Sequence, residues 1–216
     1  DRTEAIRSLA RHAQWFEDHM PFDPQFRKPD VTGVTANAID VVVESGDSGP
    51  VTPIGINLPN DDRIRAEHGS KSVSLTNVMH AYDRSMPEAY FAEFSWTPEE
   101  AARALRFASA AAELTTNLHE VIGHASGQSD PRLETTPQAA LRETYSTIEE
   151  SRADLVALYF VSNPRLVELG LVPAEHQADI VRAEYEAYAR NALVQLRRVR
   201  EGTQIEEDHM RNRQLI

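Results

Sequence analysis

The chain has 216 residues, no cysteine, and 22 basic against 34 acidic side chains, a formal charge of −12. That length can bury a core, as one large domain or two small ones, without covalent staples. The missing cysteines exclude disulfides and thiolate ligands, and the acidic balance disfavours nucleic acid or an anionic membrane as the main partner.

Ile6, Leu9, Ala10, Ala13, Trp15, Phe16 and Met20 recur at helical spacing, which predicts a helix from residue 2 to about 19, stopped by Pro21. His12 and His19 fall in it as surface or capping residues. Residues 21–29, rich in Pro and aromatics, read as an irregular loop. Residues 38–43 are rich in β-branched side chains, 44–50 form a turn cluster, and 51–58 are a second extended run. Pro53 argues against a central strand, so the expectation is a small two-stranded ribbon near residues 38–58, at an edge.

Residues 57–62 lead into a short helix that ends at His68-Gly69-Ser70. Ser72 or Ser74 then caps the next helix, which runs to about Ser85. Gly69-Ser70-Lys71-Ser72 superficially resembles the end of a phosphate loop, but it lacks the first glycine and the preceding strand of one. Thr97-Pro98-Glu99-Glu100 is a helix start, with a Thr cap and Pro at the first helical position. From there to His124 the chain is Ala-rich with periodic Leu105, Phe107, Leu114 and Leu118, and Ser126 and Gly127 break it. After a polar loop over 128–136, Thr136-Pro137 opens another helical region that ends near Ser162-Asn163-Pro164. A short helix reaches Gly170, a long one runs from Pro173 to about Arg200, and a last one starts near Gln204. The predicted fold is mainly α with a small β ribbon, one helical lobe over residues 1–216.

No apolar run approaches transmembrane length and the first residues carry no signal-peptide pattern, so a soluble cytoplasmic protein is expected. Asp1 in place of Met points to a trimmed chain or a piece of a longer one.

The stretch that carries chemistry is His119-Glu120-Val121-Ile122-Gly123-His124. Two histidines one turn apart, with a glutamate beside the first, are the skeleton of a zinc hydrolase site. Here they are five apart. Residues four apart on an α-helix lie ~40° from each other around the axis, whereas residues five apart lie ~140° apart. In a regular helix these rings cannot share a metal, and they are then two unrelated polar positions. A backbone widened by one residue would bring them together, as at the π-bulges found in functional sites. Gly123 allows such a distortion at low steric cost.

A catalytic zinc takes three protein ligands and keeps a position open. The acidic candidates lie about 25 residues on, in Glu149-Glu150-Ser151-Arg152-Ala153-Asp154. Glu150 and Asp154 share a helix face and Glu149 lies on a neighbouring one. One carboxylate can bind metal while the others accept hydrogen bonds from the ligand imidazoles. Read alone, the segment is an ordinary solvated acidic face.

H-E-x-x-G-H followed by E-E-S-R-A-D in a helix resembles the dipeptidyl peptidase III family of zinc metallopeptidases, in its bacterial-type branch. Residues 56–60, 69–75 and 207–213 also resemble blocks of that family, in the same order, so the likeness spans nearly the whole chain. It implies that His119, His124 and Glu150 hold one Zn2+ and that Glu120 is the general base acting on the water at the metal. It implies further that Glu149 and Asp154 orient the ligand histidines, and that His209 is a catalytic residue facing the cleft. Arg213 would help hold the substrate, and Asn57 and Asn60 would bind its N-terminal end. The implied activity is release of N-terminal dipeptides from short peptides. Two departures stand out. Asp154 occupies a position where the family often has the longer Glu, which shortens its expected reach. Family members are two-lobed and much longer, so the chain corresponds to the zinc-bearing lobe, with a companion lobe completing the substrate channel. Two other functions therefore stay open: a metal- or partner-binding lobe inactive without that companion, and a zinc hydrolase of non-peptide substrates.

Overall fold

The computed structural model describes residues 2–45, 52–59, 61–196, 199, 202, 205 and 207–216. The first predicted helix is two: α1 (Arg2–Arg11) and α2 (Ala13–Asp18). The break is at His12, whose ring Nδ1 lies 2.8 Å from the Ser8 carbonyl. His19 closes α2 in the same way, with Nδ1 2.7 Å from the Trp15 carbonyl and its ring stacked on Trp15. Both histidines thus end helices.

The β structure corrects the expected ribbon. The strands β1 (Thr35–Ile39), β2 (Gly55–Leu58) and β3 (Lys71–Leu75) form one sheet in the order β1-β3-β2. β1 runs parallel to β3 and β2 antiparallel to it, so the two runs expected to pair with each other never meet. Lys71–Leu75, read from sequence as loop and helix cap, is the central strand. Its serines resemble N-caps in isolation, but they alternate with Val73 and Leu75 at strand period. Both serines are buried and satisfied by groups outside the sheet: Ser72 Oγ donates to the Glu120 carbonyl and Ser74 Oγ to Asn117 Oδ1. Val42 and Val43 lie outside the sheet and are exposed. Most of the predicted 44–50 turn lies outside the described residues.

The remaining helices are α3 (Asp62–His68), α4 (Thr76–Ser85), α5 (Glu88–Phe94), α6 (Pro98–Leu118), α7 (Pro137–Leu141), α8 (Tyr145–Phe160), α9 (Arg165–Glu168), α10 (Gln177–Gln195) and α11 (Asp208–Leu215). α6 starts as its sequence dictates, the Thr97 hydroxyl accepting from the Glu100 N–H at 3.2 Å. α4 follows β3 directly with Leu75 at its cap, not Ser72 or Ser74, and α5 has no counterpart in the sequence reading. The region after Pro137 is interrupted at Arg142, which takes a φ of 51°. α6 packs along α10, α11 packs on α8, and α8 packs on the turn that follows α6.

The core joins these elements beneath that turn. Ile6, Leu9 and Phe16 of the first two helices meet Leu118, Val121, Ile122, Phe160, Val161 and Leu166, all almost completely buried. Each such side chain contributes about 1.5–3 kcal/mol on burial. Residues 118, 121 and 122 therefore anchor the histidine-bearing turn in the buried core. Among the described residues no helix is long and apolar enough to cross a membrane.

Candidate metal centre

α6 does not simply end at Leu118. Residues His119–Gly123 continue it as a π turn, closed by the His124 N–H on the His119 carbonyl at 3.0 Å. The extra residue in the turn brings both imidazoles to one side, with ring centroids 4.7 Å apart and planes at 89°. Four side chains make the distortion tolerable by taking up two carbonyls it loosens. The Glu120 carbonyl accepts from Asn57 Nδ2 at 2.8 Å and Ser72 Oγ at 2.9 Å. That of Gly123 accepts from Arg152 Nη1 and Ser126 Oγ, each at 2.8 Å. Gly123 is required for closeness: a Cβ there would lie 2.8 Å from Ala153 Cα, so the turn rests directly on α8.

That contact puts Glu150 opposite the two rings. Its Oε2 lies 3.2 Å from His119 Nε2 and 3.8 Å from His124 Nε2, and one donor atom from each of the three residues falls within 4.8 Å of the others. Four ligands at zinc bond lengths of 2.0–2.1 Å stand about 3.3 Å from one another in a tetrahedron. The Glu150 oxygen is buried and has no aligned hydrogen bond. Both histidines spend Nδ1 elsewhere and turn Nε2 to that same point. Two nitrogens and a carboxylate converging on one spot, with no sulfur, fit zinc.

The opposite edges of the rings are held by carboxylates. His124 Nδ1 meets Glu149 Oε1 at 2.9 Å, and Glu149 is gripped by Arg152 through Nε at 3.0 Å and Nη2 at 2.7 Å. Arg65 adds a contact at 3.4 Å. His119 Nδ1 meets Asp154 Oδ1 at 2.7 Å, so the shorter side chain reaches after all. Asp154 Oδ2 accepts from Tyr188 OH at 2.8 Å and Asn212 Nδ2 at 2.6 Å.

These contacts set the charges. Burial alone would lower the His119 pKa, but the hydrogen bond to Asp154 and the Glu150 carboxylate 3.2 Å away outweigh it and raise the group to about 10. Burial pushes Asp154 and Glu149 up, yet His119, and His124 with Arg152, hold them well below the usual carboxylate range. Glu120 is displaced the other way: burial raises it, and His119 and His124 only partly pull it back. Its carboxylate leans on the backbone of β2, where a Cβ on Gly55 would lie 2.5 Å from Glu120 Oε1.

The other expected site residues divide. His209, half exposed on α11, brings Nδ1 to 3.7 Å from Glu150 Oε2, beside the centre. Arg213 lies with its guanidinium 5.0 Å from the centre of the Tyr188 ring and 3.8 Å from Asp154 Oδ2. Asn57 is buried and uses its amide on Ser72 Oγ and the Glu120 carbonyl, leaving Oδ1 without a donor. Asn60 lies outside the described residues. Sequence reading missed Arg152, Gly55, Tyr188 and Asn212. Arg152 could have been found from its place three residues after Glu149 on one helix. Tyr188 and Asn212 stand 34 and 58 residues from Asp154 and carry no local signal.

Comparison with known proteins bears on the whole chain. A model described as peptidase family M49 matches residues 1–130 and 128–216. Dipeptidyl peptidase 3 of Rattus norvegicus is 26% identical over 224 residues, covering 91% of this chain and 29% of the relative. The solved structure of dipeptidyl-peptidase III from Corallococcus sp. strain EGB superposes with a TM-score of 0.77 at 26% identity, covering 98% of this chain and 37% of that one. DPP III from Caldithrix abyssi gives 0.74 at 23%, with 98% and 38% covered. The chain thus spans less than a third of the rat relative's length.

Proposed function

Because the chain belongs to peptidase family M49, we propose that it is the zinc-bearing lobe of a dipeptidyl peptidase that releases N-terminal dipeptides from short peptides. His119, His124 and Glu150 hold the ion in this reading, and Glu120 moves the proton. The observation that carries it is the π turn: it alone lets histidines five apart point Nε2 at the buried, unpartnered oxygen of Glu150.

Zinc bound there would polarise the scissile carbonyl and bring the pKa of the attacking water from 15.7 towards ~7. The chain's residues supply the rest. Glu149 and Asp154 keep both Nδ1 atoms protonated, so both Nε2 lone pairs stay free for the ion. Glu120 adjoins His119 and is buried, and its raised pKa makes it a better acceptor for the water's proton. It then passes that proton to the leaving amine. β2 has a strand on one side only among the described residues, and Gly55 on it touches Glu120. An extended peptide added to that edge by main-chain hydrogen bonds would run past the base. Asn57 Oδ1 has no donor but is buried, so the substrate role of Asn57 rests on the family resemblance. Those of Asn60, His209 and Arg213 rest on it too.

Replacing Glu120 by Ala should abolish cleavage of a dipeptidyl arylamide while zinc stays bound; retained cleavage contradicts the mechanism. The 29% coverage of the rat relative favours one second reading, a lobe that holds metal but turns over substrate only with a companion lobe. A chain that loads zinc and cleaves nothing, beside a longer protein that cleaves, would select it.

A further inference from the structure

We propose that Tyr188 and Asn212 are positioning residues of the metal centre, locking the Asp154 carboxylate so that His119 presents Nε2 inward. The proposal rests on the reading of His119, His124 and Glu150 as zinc ligands. Asp154 is buried, with Oδ1 committed to His119 Nδ1. A carboxylate can turn about its Cβ–Cγ bond, so holding one oxygen on the imidazole requires something to hold the other. Tyr188 OH from α10 and Asn212 Nδ2 from α11 both donate to Oδ2, at 2.8 and 2.6 Å. Both donors are neutral. They fill the oxygen's lone pairs without cancelling its charge, which stays directed at the imidazole. Arg213, whose guanidinium lies over the Tyr188 ring, adds only a longer ion pair to the same oxygen, at 3.8 Å.

Asn212 itself argues for more than packing. It is completely buried, and its Oδ1 has no hydrogen-bond partner. An unpartnered buried carbonyl is costly, and a leucine of similar shape would avoid that cost. The amide is explained by its donation to Asp154. By this account α11, 58 residues from Asp154 in sequence, is part of the metal site.

The test compares the full chain with Asn212→Leu and, as a milder change, Tyr188→Phe. Chelator competition reads zinc affinity. Nuclear magnetic resonance on the zinc-free chain reads how fast the His119 Nδ1 proton exchanges with water. Asn212→Leu should weaken zinc about 10- to 100-fold, and Tyr188→Phe by less, about threefold to tenfold. Exchange should speed up in both. Thermal midpoints that shift while zinc affinity and exchange stay at the parent values would overturn the proposal, since packing alone would do that. A parent chain that takes no zinc would overturn the ligand reading beneath it. The exchange rates would then decide the positioning role on their own, faster exchange in the variants supporting it and parent-like exchange overturning it.

Discussion

His119 and His124 sit one π turn apart and are both braced by carboxylates, yet the two braces are built differently. Glu149, behind His124, is clamped by guanidinium groups: Arg152 lies three residues along the same helix and Arg65 reaches in from α3. Asp154, behind His119, is held by a phenol and an amide from helices near the end of the chain. The first brace is local in its Arg152 part, which is partly open to water, with that side chain 31% exposed. The second is long-range and closed. The hydrogen bonds on Glu149 come from cations, whereas those on Asp154 Oδ2 come from neutral groups, with Arg213 3.8 Å away as a longer ion pair. The high pKa of His119 in the zinc-free chain, about 10, reflects the Asp154 and Glu150 carboxylates, which together outweigh its burial. The local part can be read from a helix segment, whereas the closed brace depends on the whole fold.

The change that should remove both braces at once is Gly123→Ala. The new methyl would strike the Ala153 backbone and lift the π turn off α8, separating both rings from Glu150. Overpacking of this kind costs about 1–3 kcal/mol, and zinc content should drop well below one ion per chain. Metal analysis together with a thermal melt checks it.

The closed side has a pH-dependent neighbour. Glu184, on α10, is buried, and that burial raises its pKa to about 7 against the opposing pull of Thr115 and Arg213. Below the unfolded value of 4.5 it is protonated in both states and costs nothing. Between 4.5 and about 7 the unfolded chain releases its proton first, so stability falls as pH rises, reaching a penalty on the order of 3 kcal/mol above pH 7. In zinc-free protein, Glu184→Gln should therefore melt higher than the parent at pH 8 and equally at pH 4.

Smaller effects separate the two braces directly. Asp154→Asn should weaken zinc about 10- to 100-fold, because Asp154 is the carboxylate that His119 Nδ1 meets. Glu149→Gln should fall at the low end of that range, since Arg152 still holds the turn through the carbonyls of Gly123 and Ser126. Arg152→Met should cost at least as much as Glu149→Gln, because it removes the clamp on Glu149 together with the donors to the Gly123 and Ser126 carbonyls. The smaller share is the partly exposed ion pair, screened and worth about 0–1 kcal/mol. That share should shrink further in high salt, measured by the same chelator competition.

How far each part could be read in advance follows from the range of the interactions that form it. The 119–124 spacing demanded a widened turn if the rings were to meet, and the chain forms one. The start of α6 was equally clear, because Thr97 and Glu100 cap within one turn. β3 was not, because Ser72 and Ser74 look like helix caps until the partners of their hydroxyls are known. Those partners are the Glu120 carbonyl and Asn117, more than 40 residues away. The break at His12 escaped for a different reason. Apolar periodicity continues straight through it, and only the ring's bond to the Ser8 carbonyl marks the interruption. Asn212 and Tyr188 were invisible for the same reason as β3: what they hold lies on a helix that neither adjoins in sequence.

The central claim is that both imidazoles and Glu150 bind one ion. X-ray absorption at the zinc edge of the loaded chain tests it most directly. Two imidazole nitrogens and oxygen ligands at about 2.0–2.1 Å are predicted, with one imidazole lost in His124→Ala. A coordination sphere of oxygen alone, or one unchanged by that substitution, would contradict it.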